Sequence, residues 1–358
     1  MLTIKDIESE LLPMLCEEAA PDIPRRAQKQ LALWKGTPDV RCEFYSVDSP
    51  WAARLPDYDM REIHWDCEKM LIDQLKGATG MALSGSDGVP SVRANMGCGL
   101  VGGLFGLEQQ IYPDKMPWLL EHLTREQILA LRPGEFTVTD EYRQALEHMR
   151  YMKDKLRGTG IEVYPIDLQG PIDSAHLLYG DEFFYDLYDE PEFINHLLDL
   201  VHAALVRLIE DCFEIMQPGE FVAHYNGLVL PAASPLKISE DTSTLLGREH
   251  IFEHCVPRTK ALLAHFGGGY IHYCGWNPHL YEAVTEQIRP LGLNFGNSEK
   301  HGMAAVLRDL AGRGMFYYGG CDEAIADQAE RDGVRYLFRV KQEGYHDTER
   351  TADGDAPG

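Results

Sequence analysis

The sequence predicts an α/β fold, a (β/α)8 barrel of the TIM class with an N-terminal helical extension, and three observations carry that expectation. From "VPSVRANMGCG" (89–99) onward, short apolar or aromatic runs that end in Gly, Asn or another polar residue alternate with stretches of helical periodicity. The 358 residues are enough for a barrel of about 250 residues with insertions and a lead-in. No GxGxxG follows the first strand and no GxxxxGKS or GxxxxGKT occurs. A doubly wound nucleotide fold, the other common way to arrange a parallel sheet, therefore lacks its phosphate-binding signature.

The elements follow in chain order. Residues 1–75 read as a helical lead-in packed on the barrel. The segments are "TIKDIESELLPMLCEEA", "PDIPRRAQKQLALWKG" and "DMREIHWDCEKMLIDQLKGA", whose apolar residues recur at three and four spacing. Arg25 and Arg26 are read as part of a polar helix. Residues 76–340 are the expected barrel. Its candidate strands are "SVRANMG" (91–97), "VYPIDLQGP" (163–171), "FVAHYNG" (221–227), "YIHYCG" (270–275), "LNFGN" (293–297) and "MFYYGG" (315–320). Between them lie "EFINHLLDLVHAALVRLIEDCFEIM", "GREHIFEHCVPRTKALLAHF", "HLYEAVTEQIRPL" and "HGMAAVLRDLAGRG", mostly long enough for a parallel crossover. Residues 341–358 read as a polar tail. An apolar face of the lead-in suits a homodimer as well as packing on the barrel.

Composition excludes several function classes. The net charge of −24 repels polyanions, which argues against nucleic acid and against an anionic membrane surface. No apolar run approaches the roughly 20 residues of a membrane helix. The start, "MLTIKDIESELLPML", has acids where a signal peptide would have basic residues and then an apolar segment, so a cytoplasmic protein is expected. The eight cysteines (16, 42, 67, 98, 212, 255, 274, 321) are scattered and are expected to be reduced, most of them buried as small hydrophobes. Cys98, in the glycine-rich "GCGLVGGLFG", is taken as structural.

Side chains that do chemistry in a parallel barrel sit where strands run out at the C-terminal face. The candidate strands end in Arg93 and Asn95, Asp167 and Gln169, His224 and Tyr225, His272 and Cys274, Asn297 and Glu299, and Cys321. The sharpest element is His272-Tyr273-Cys274. Strand side chains alternate, so positions 272 and 274 share a face, and imidazole plus thiolate is a donor pair zinc favours at about 2.0–2.3 Å. Cys321 closes "GMFYYGGC" and is the candidate third ligand. Three ligands with an open fourth position suit a catalytic zinc, which would hold a substrate thiol as a nucleophilic thiolate. Glu240 and Asp241 precede a helix start, where carboxylates cap free amides; for Asp241 a catalytic role is equally open. Arg93 in an apolar strand needs an anionic partner, either substrate or protein. His224 and Tyr225 are pocket candidates.

The stretches "DLQGPIDSAHLLYGDEFFYDLYDEPEFINHLLDLV", "SEDTSTLLGREHIFEHCVPRTKALLAHFGGGYIHYCGWNPHLYEAV" and "GLNFGN" resemble the uroporphyrinogen decarboxylase superfamily over roughly residues 85–325. The shared features are a Gly-Pro after a strand, a "DEP" before a helix, an acidic Ser/Thr loop before "EHCVPR", and an HxCG strand end. The resemblance implies a (β/α)8 barrel with its site at the C-terminal face. True decarboxylases carry an arginine-rich "RQAGRY"-type segment that grips the substrate's propionates, and this chain has none. The nearer branch is that of the zinc methyltransferases, which move methyl groups between a corrinoid and a thiol.

That resemblance implies zinc at His272 and Cys274, with corrinoid (cobalamin) as co-substrate or on a corrinoid partner protein, and a small-molecule methyl acceptor. Asp241, His224 and Tyr225 would be catalytic, and Arg93, Asn95, Gln169 and Asn297 would bind substrate. The branch's third ligand is a later cysteine on a Gly- or Pro-flanked stretch; Cys321 comes sooner after Cys274, so Glu299 is the alternative. Two other readings stand beside this one. The first is a metal-independent lyase or decarboxylase acting on a carboxylated substrate such as a porphyrinogen, with Arg93 as anion anchor. The second is a non-catalytic corrinoid-binding module.

Overall fold

The computed structural model describes residues 1–337, 339 and 340. The expected polar tail, 341–358, lies outside the described residues. The chain is a mixed α/β protein whose strands pair mostly in parallel. The strands are β1 (Glu43–Phe44), β2 (Ser91–Val92), β3 (Glu162–Val163), β4 (Phe221–Ala223), β5 (Val229–Pro231), β6 (Leu236–Ser239), β7 (Gly269–Tyr273), β8 (Gly292–Phe295), β9 (Phe316–Tyr317) and β10 (Arg339–Val340). A four-stranded parallel sheet in the order β6-β7-β8-β9 is the largest. β2 pairs with β3 and β1 with β10, both in parallel.

Single backbone contacts link these sheets. Gln169 and Ser239 form a parallel bridge between the chain after β3 and the end of β6. Leu337 N donates to Tyr317 O beyond β9, and Asp87 N donates to Glu43 O just before β2. The strands of the large sheet are buried on both faces, with Tyr270, Ile271 and Tyr273 of β7 fully enclosed, as parallel strands covered on both sides are.

The helical crossovers form where periodicity places them. "EFINHLLDLVHAALVRLIEDCFEIM" lies in a helix over Pro191–Met216, and "HGMAAVLRDLAGRG" forms Met303–Gly312. The segment around "EHCVPRT" is helical but widens into a π turn over Ile251–Cys255 before continuing as Val256–His265. Pro257 explains the irregularity, because it lacks an N–H and its ring crowds the carbonyl four residues back.

Two expected features differ. The run 221–227 forms a strand, but β4 turns back and pairs antiparallel with β5. Asn226 (φ 56°) and Gly227 (φ 77°) hold the left-handed conformations of a tight hairpin, for which Asn-Gly is the usual pair. The parallel position expected for that run is taken by β6, in "LKIS", which is not among the strands expected from the sequence.

Within the lead-in, the helix that carries Arg25 and Arg26 is built differently from its expected polar character. Arg26 is buried, 3% exposed. On the helix Ile23–Trp34 its guanidinium donates to the carbonyls of Met81, Ala82, Ser84 and Gly88 and to Asp22. One and two turns further on, Gln30 bonds Asp87 O, Gly227 O and Val229 N, and Trp34 Nε1 donates to Val229 O at 2.6 Å. These side chains satisfy loop backbone that would otherwise be buried unpaired. The helix Cys67–Ala82 runs across residue 75, and β1 lies within the lead-in.

Arg26→Ala leaves four carbonyls without their donor. It is expected to lower unfolding free energy by ~2–4 kcal/mol in urea titration. Arg25→Ala, which removes an exposed guanidinium paired with Asp22, should change it by under ~1 kcal/mol. Equal effects from the two would show that the lead-in is not held by the buried arginine.

Candidate functional site

The site is assembled at the ends of β6, β7 and β8. Glu240 N donates to His272 O, which continues the β6–β7 ladder one residue past Ser239 and His272. That register sets the next residue, Asp241, beside the end of β7. Its Oδ1 accepts from Cys274 N at 2.5 Å and lies 4.0 Å from His272 Nε2. Cys274 Sγ is 3.4 Å from the same nitrogen. One ligand-type atom each from Asp241, His272 and Cys274 falls within a mutual 4.8 Å.

The imidazole is held in the orientation a ligand needs. In β8, Asn294 stands in register with His272, and its Oδ1 accepts from His272 Nδ1 at 2.7 Å. With the proton on Nδ1, Nε2 turns its lone pair toward Cys274 and Asp241. Burial, with the nearby Lys237 ammonium, holds the His272 pKa below its ordinary value, against the pull of Asp241, Asn294 and Asp167, so the ring is neutral at neutral pH. The glycine of "NFGN" is required here, because a Cβ on Gly296 would fall 2.3 Å from Cys274 Sγ. Asn297 Oδ1 accepts from Gly275 N and steadies the turn after the cysteine.

Behind Asp241 lies a buried pair of carboxyls. Asp173 accepts from Asp241 N at 2.8 Å and Thr242 N at 2.7 Å. Glu240 accepts from Thr259 Oγ1 at 2.5 Å and from Ser243 Oγ, and its side chain also takes the amide of Ile172 at the start of the helix Pro171–Tyr179. Gly170 lies so close to Glu240 that a Cβ would come within 2.3 Å of the carboxyl. Burial, with Glu240 and Asp241 close by, raises the Asp173 pKa well above its usual range, against those two amides. Burial raises Glu240 to about 7, against its two hydroxyl donors. Asp241, for which capping and a catalytic role stood equally open, makes no side-chain cap to the turn Thr242–Leu245 and faces His272 and Cys274, while Glu240 takes the amide of Ile172 at a helix start earlier in the chain.

An adjoining recess holds most of the other expected residues. Arg93 Nη1 is 3.1 Å from Asp167 Oδ2, and its guanidinium lies about 6 Å from the rings of Tyr164 and Tyr225. Burial alone would lower the Arg93 pKa, but Asp167 and the two tyrosines raise it. Burial pushes Asp167 up, and Arg93, Lys237 and His272 bring it below the ordinary value. His224 and Tyr225 line this recess with Lys237. His224 donates from Nε2 to Pro235 O at 2.9 Å, and burial lowers its pKa to about 3. It is a neutral histidine held by the fold, which is a poor proton carrier near neutrality. Gln169 lies on the bridge to Ser239, and Asn95 Oδ1 is buried without a hydrogen-bond partner.

Cys321 and Glu299, expected to complete a metal set, do not join it. Cys321 is half-buried against the main core, where burial and then Asp322 raise its pKa, and Glu299 is exposed on the short turn Ser298–Lys300. The third ligand-type group is Asp241. At Cys98, burial, then Asp167 and Asp173, raises the thiol pKa to about 12. Asn294 and Asp173 were missed in the sequence. Asn294 carried a signal, since it alternates with buried Leu293 and Phe295 and so points where His272 points; nothing local marked Asp173.

No protein-family model matches the chain, and no curated protein matches it. Among solved structures, a methyltransferase from Methanosarcina mazei superposes with a TM-score of 0.60 at 15% identity, over 87% of this chain and 91% of that one. At that identity the likeness is one of fold. Among the described residues no helix is long and apolar enough to cross a membrane.

The Glu240 carboxyl gives a pH dependence with a definite sign. Its ordinary value is 4.5 and its folded value about 7, so between these pH values the folded state holds the proton and the unfolded state does not. Its contribution to stability is complete below the lower value, falls as pH rises through the window, and is lost above the upper one. The stability difference between wild type and Glu240→Gln should therefore shift by up to ~3 kcal/mol against the wild type across that window and level off above it. Parallel pH–stability curves for the two proteins would refute this.

Proposed function

We propose that the chain is a closed (β/α)8 barrel acting as a zinc-dependent methyltransferase, which moves a methyl group between a corrinoid and a thiol. Closure is supported by the backbone contacts that run in order from β2 through β3, β6, β7, β8, β9, β10 and β1, and by way of Asp87 back to the residues before β2. The single observation that carries the catalytic reading is the convergence of Asp241, from the end of β6, with His272 and Cys274 at the end of β7, with His272 Nδ1 committed to Asn294. The fold likeness to a methyltransferase agrees with it.

The residues fit a zinc ion by their chemistry: one imidazole nitrogen facing inward, one thiol and one carboxylate, leaving room for a fourth donor. When bound, the metal would hold a substrate thiol as its thiolate near neutral pH. The chain's own groups do the rest. Asn294 fixes the imidazole tautomer, and Asp173 and Glu240 fix the backbone that presents Asp241. A bound methyl-corrinoid would supply the methyl group to the thiolate sulfur and would keep the electron pair of the carbon–cobalt bond it gives up. The thiol proton is released before that step. The recess lined by Lys237, Tyr225 and the Arg93–Asp167 pair is suited to positioning the acceptor.

The metal-independent reading needs Arg93 to grip a substrate carboxylate, whereas its guanidinium is paired with Asp167. The site therefore favours the metal reading, and no separate observation favours a non-catalytic corrinoid-binding module.

Cobalt(II) added to metal-free protein should give a thiolate-to-cobalt charge-transfer absorption. Cys274→Ser should abolish it and Cys321→Ser should leave it unchanged. Asn294→Ala should weaken metal affinity by about 10- to 100-fold. Methyl transfer from methylcobalamin to a small thiol should fall with the same variants. A charge-transfer band lost in Cys321→Ser, or absent from wild type at saturating cobalt, would overturn the assignment.

A further inference from the structure

A second group of metal-type side chains lies on the outer helix that follows β6. The segment begins as Arg248–His250, passes through the π turn Ile251–Cys255 and continues as Val256–His265. His250, Glu253 and His254 stand at three- and four-residue spacing and so share one face. One ligand-type atom from each lies within a mutual 4.8 Å. The two imidazoles stack, with centroids 5.9 Å apart and planes 19° from parallel.

Burial and bonding set this pair apart. His250 is 7% exposed and His254 1%. Both ring nitrogens of His254, and Nδ1 of His250, are buried with no hydrogen-bond partner. The other buried histidines each use one nitrogen: His64 on Glu141, His148 on His64 O, His224 on Pro235 O and His301 on Gly275 O. Buried polar atoms are normally satisfied, and an imidazole with neither nitrogen bonded is the exception that asks for a partner.

We propose that His250, Glu253 and His254 form a second binding site for a divalent metal of the zinc, cobalt or nickel class, separate from the Asp241–His272–Cys274 group. Two imidazoles and one carboxylate are a borderline donor set that suits those ions and not calcium or magnesium. The exposed Glu253 gives the ion its path from solvent, and the Tyr188 ring stands edge-on to His250 with centroids 4.2 Å apart. The same segment carries Thr259, which donates to Glu240. A metal bound at His254 therefore stiffens the helix that holds the Asp241 loop.

The experiment separates the two sites by their ligands. In full-length His272→Ala/Cys274→Ser protein the thiolate-to-cobalt band is gone, and cobalt(II) titration should still give a saturable d–d absorption. Adding Glu253→Gln, at an exposed position that the fold does not need, should weaken that binding at least about tenfold, and adding His254→Ala should abolish it. Zinc should raise the unfolding temperature of the double variant, raise it less at the same concentration in its Glu253→Gln derivative, and leave its His254→Ala derivative unchanged. No saturable absorption in the double variant, or cobalt affinity unchanged by Glu253→Gln and His254→Ala, would overturn the proposal. Neither result bears on the thiolate band of the wild type, which reports the first site alone.

Discussion

Two buried carboxyls, Asp173 and Glu240, tie the end of β6 to the start of the helix Pro171–Tyr179, and the aim of Asp241 depends on that tie. Each carboxyl serves the other's segment: Asp173 takes the amides of Asp241 and Thr242, and Glu240 takes the amide of Ile172. The hydroxyls of Ser243 and Thr259 complete Glu240. Without these bonds the residues after Ser239 would be a loop with free amides, and the Asp241 side chain would have no fixed position. The glycine of the Gly-Pro pair belongs to the same arrangement, because the Glu240 carboxyl fills the space of its missing Cβ.

The second constraint is strand register. In parallel strands, residues in register direct their side chains to the same face, so the pairing of His272 with Asn294 puts an amide oxygen against Nδ1. That contact decides the tautomer, and with it which nitrogen faces Cys274. The Lys237 ammonium and burial keep the ring uncharged, while Asp167, itself held by Arg93, pulls the other way. The electrostatics of the two neighbouring recesses are therefore linked through Asp167.

Much of the fold was legible in the sequence. Helices over 191–216 and 303–312 and strands at 270–273 and 293–295 follow from apolar spacing, which depends only on local geometry. The antiparallel return of β4 was not read, although Asn226-Gly227, whose two left-handed residues make the hairpin, carried a local signal for it. β6 was not, because four residues of "LKIS" give too short a pattern to separate from a loop. Nor was the burial of Arg26: a guanidinium looks like surface until the carbonyls of 81–88 are folded around it.

By itself the sequence determined that His272 and Cys274 lie on one face of one strand, since the alternation of side chains along a strand needs no tertiary information. It also supplied each acid of "SED" as a donor without saying which would cap and which would face the site. Only the tertiary structure decided that the third ligand-type group is Asp241, and that Cys321 and Glu299 stand apart. The physical reason is that the distance from Cys274 to any later or earlier residue is set by how strands pair. The β6–β7 register carries Asp241 to the cysteine's own amide, and no count along the chain contains that register.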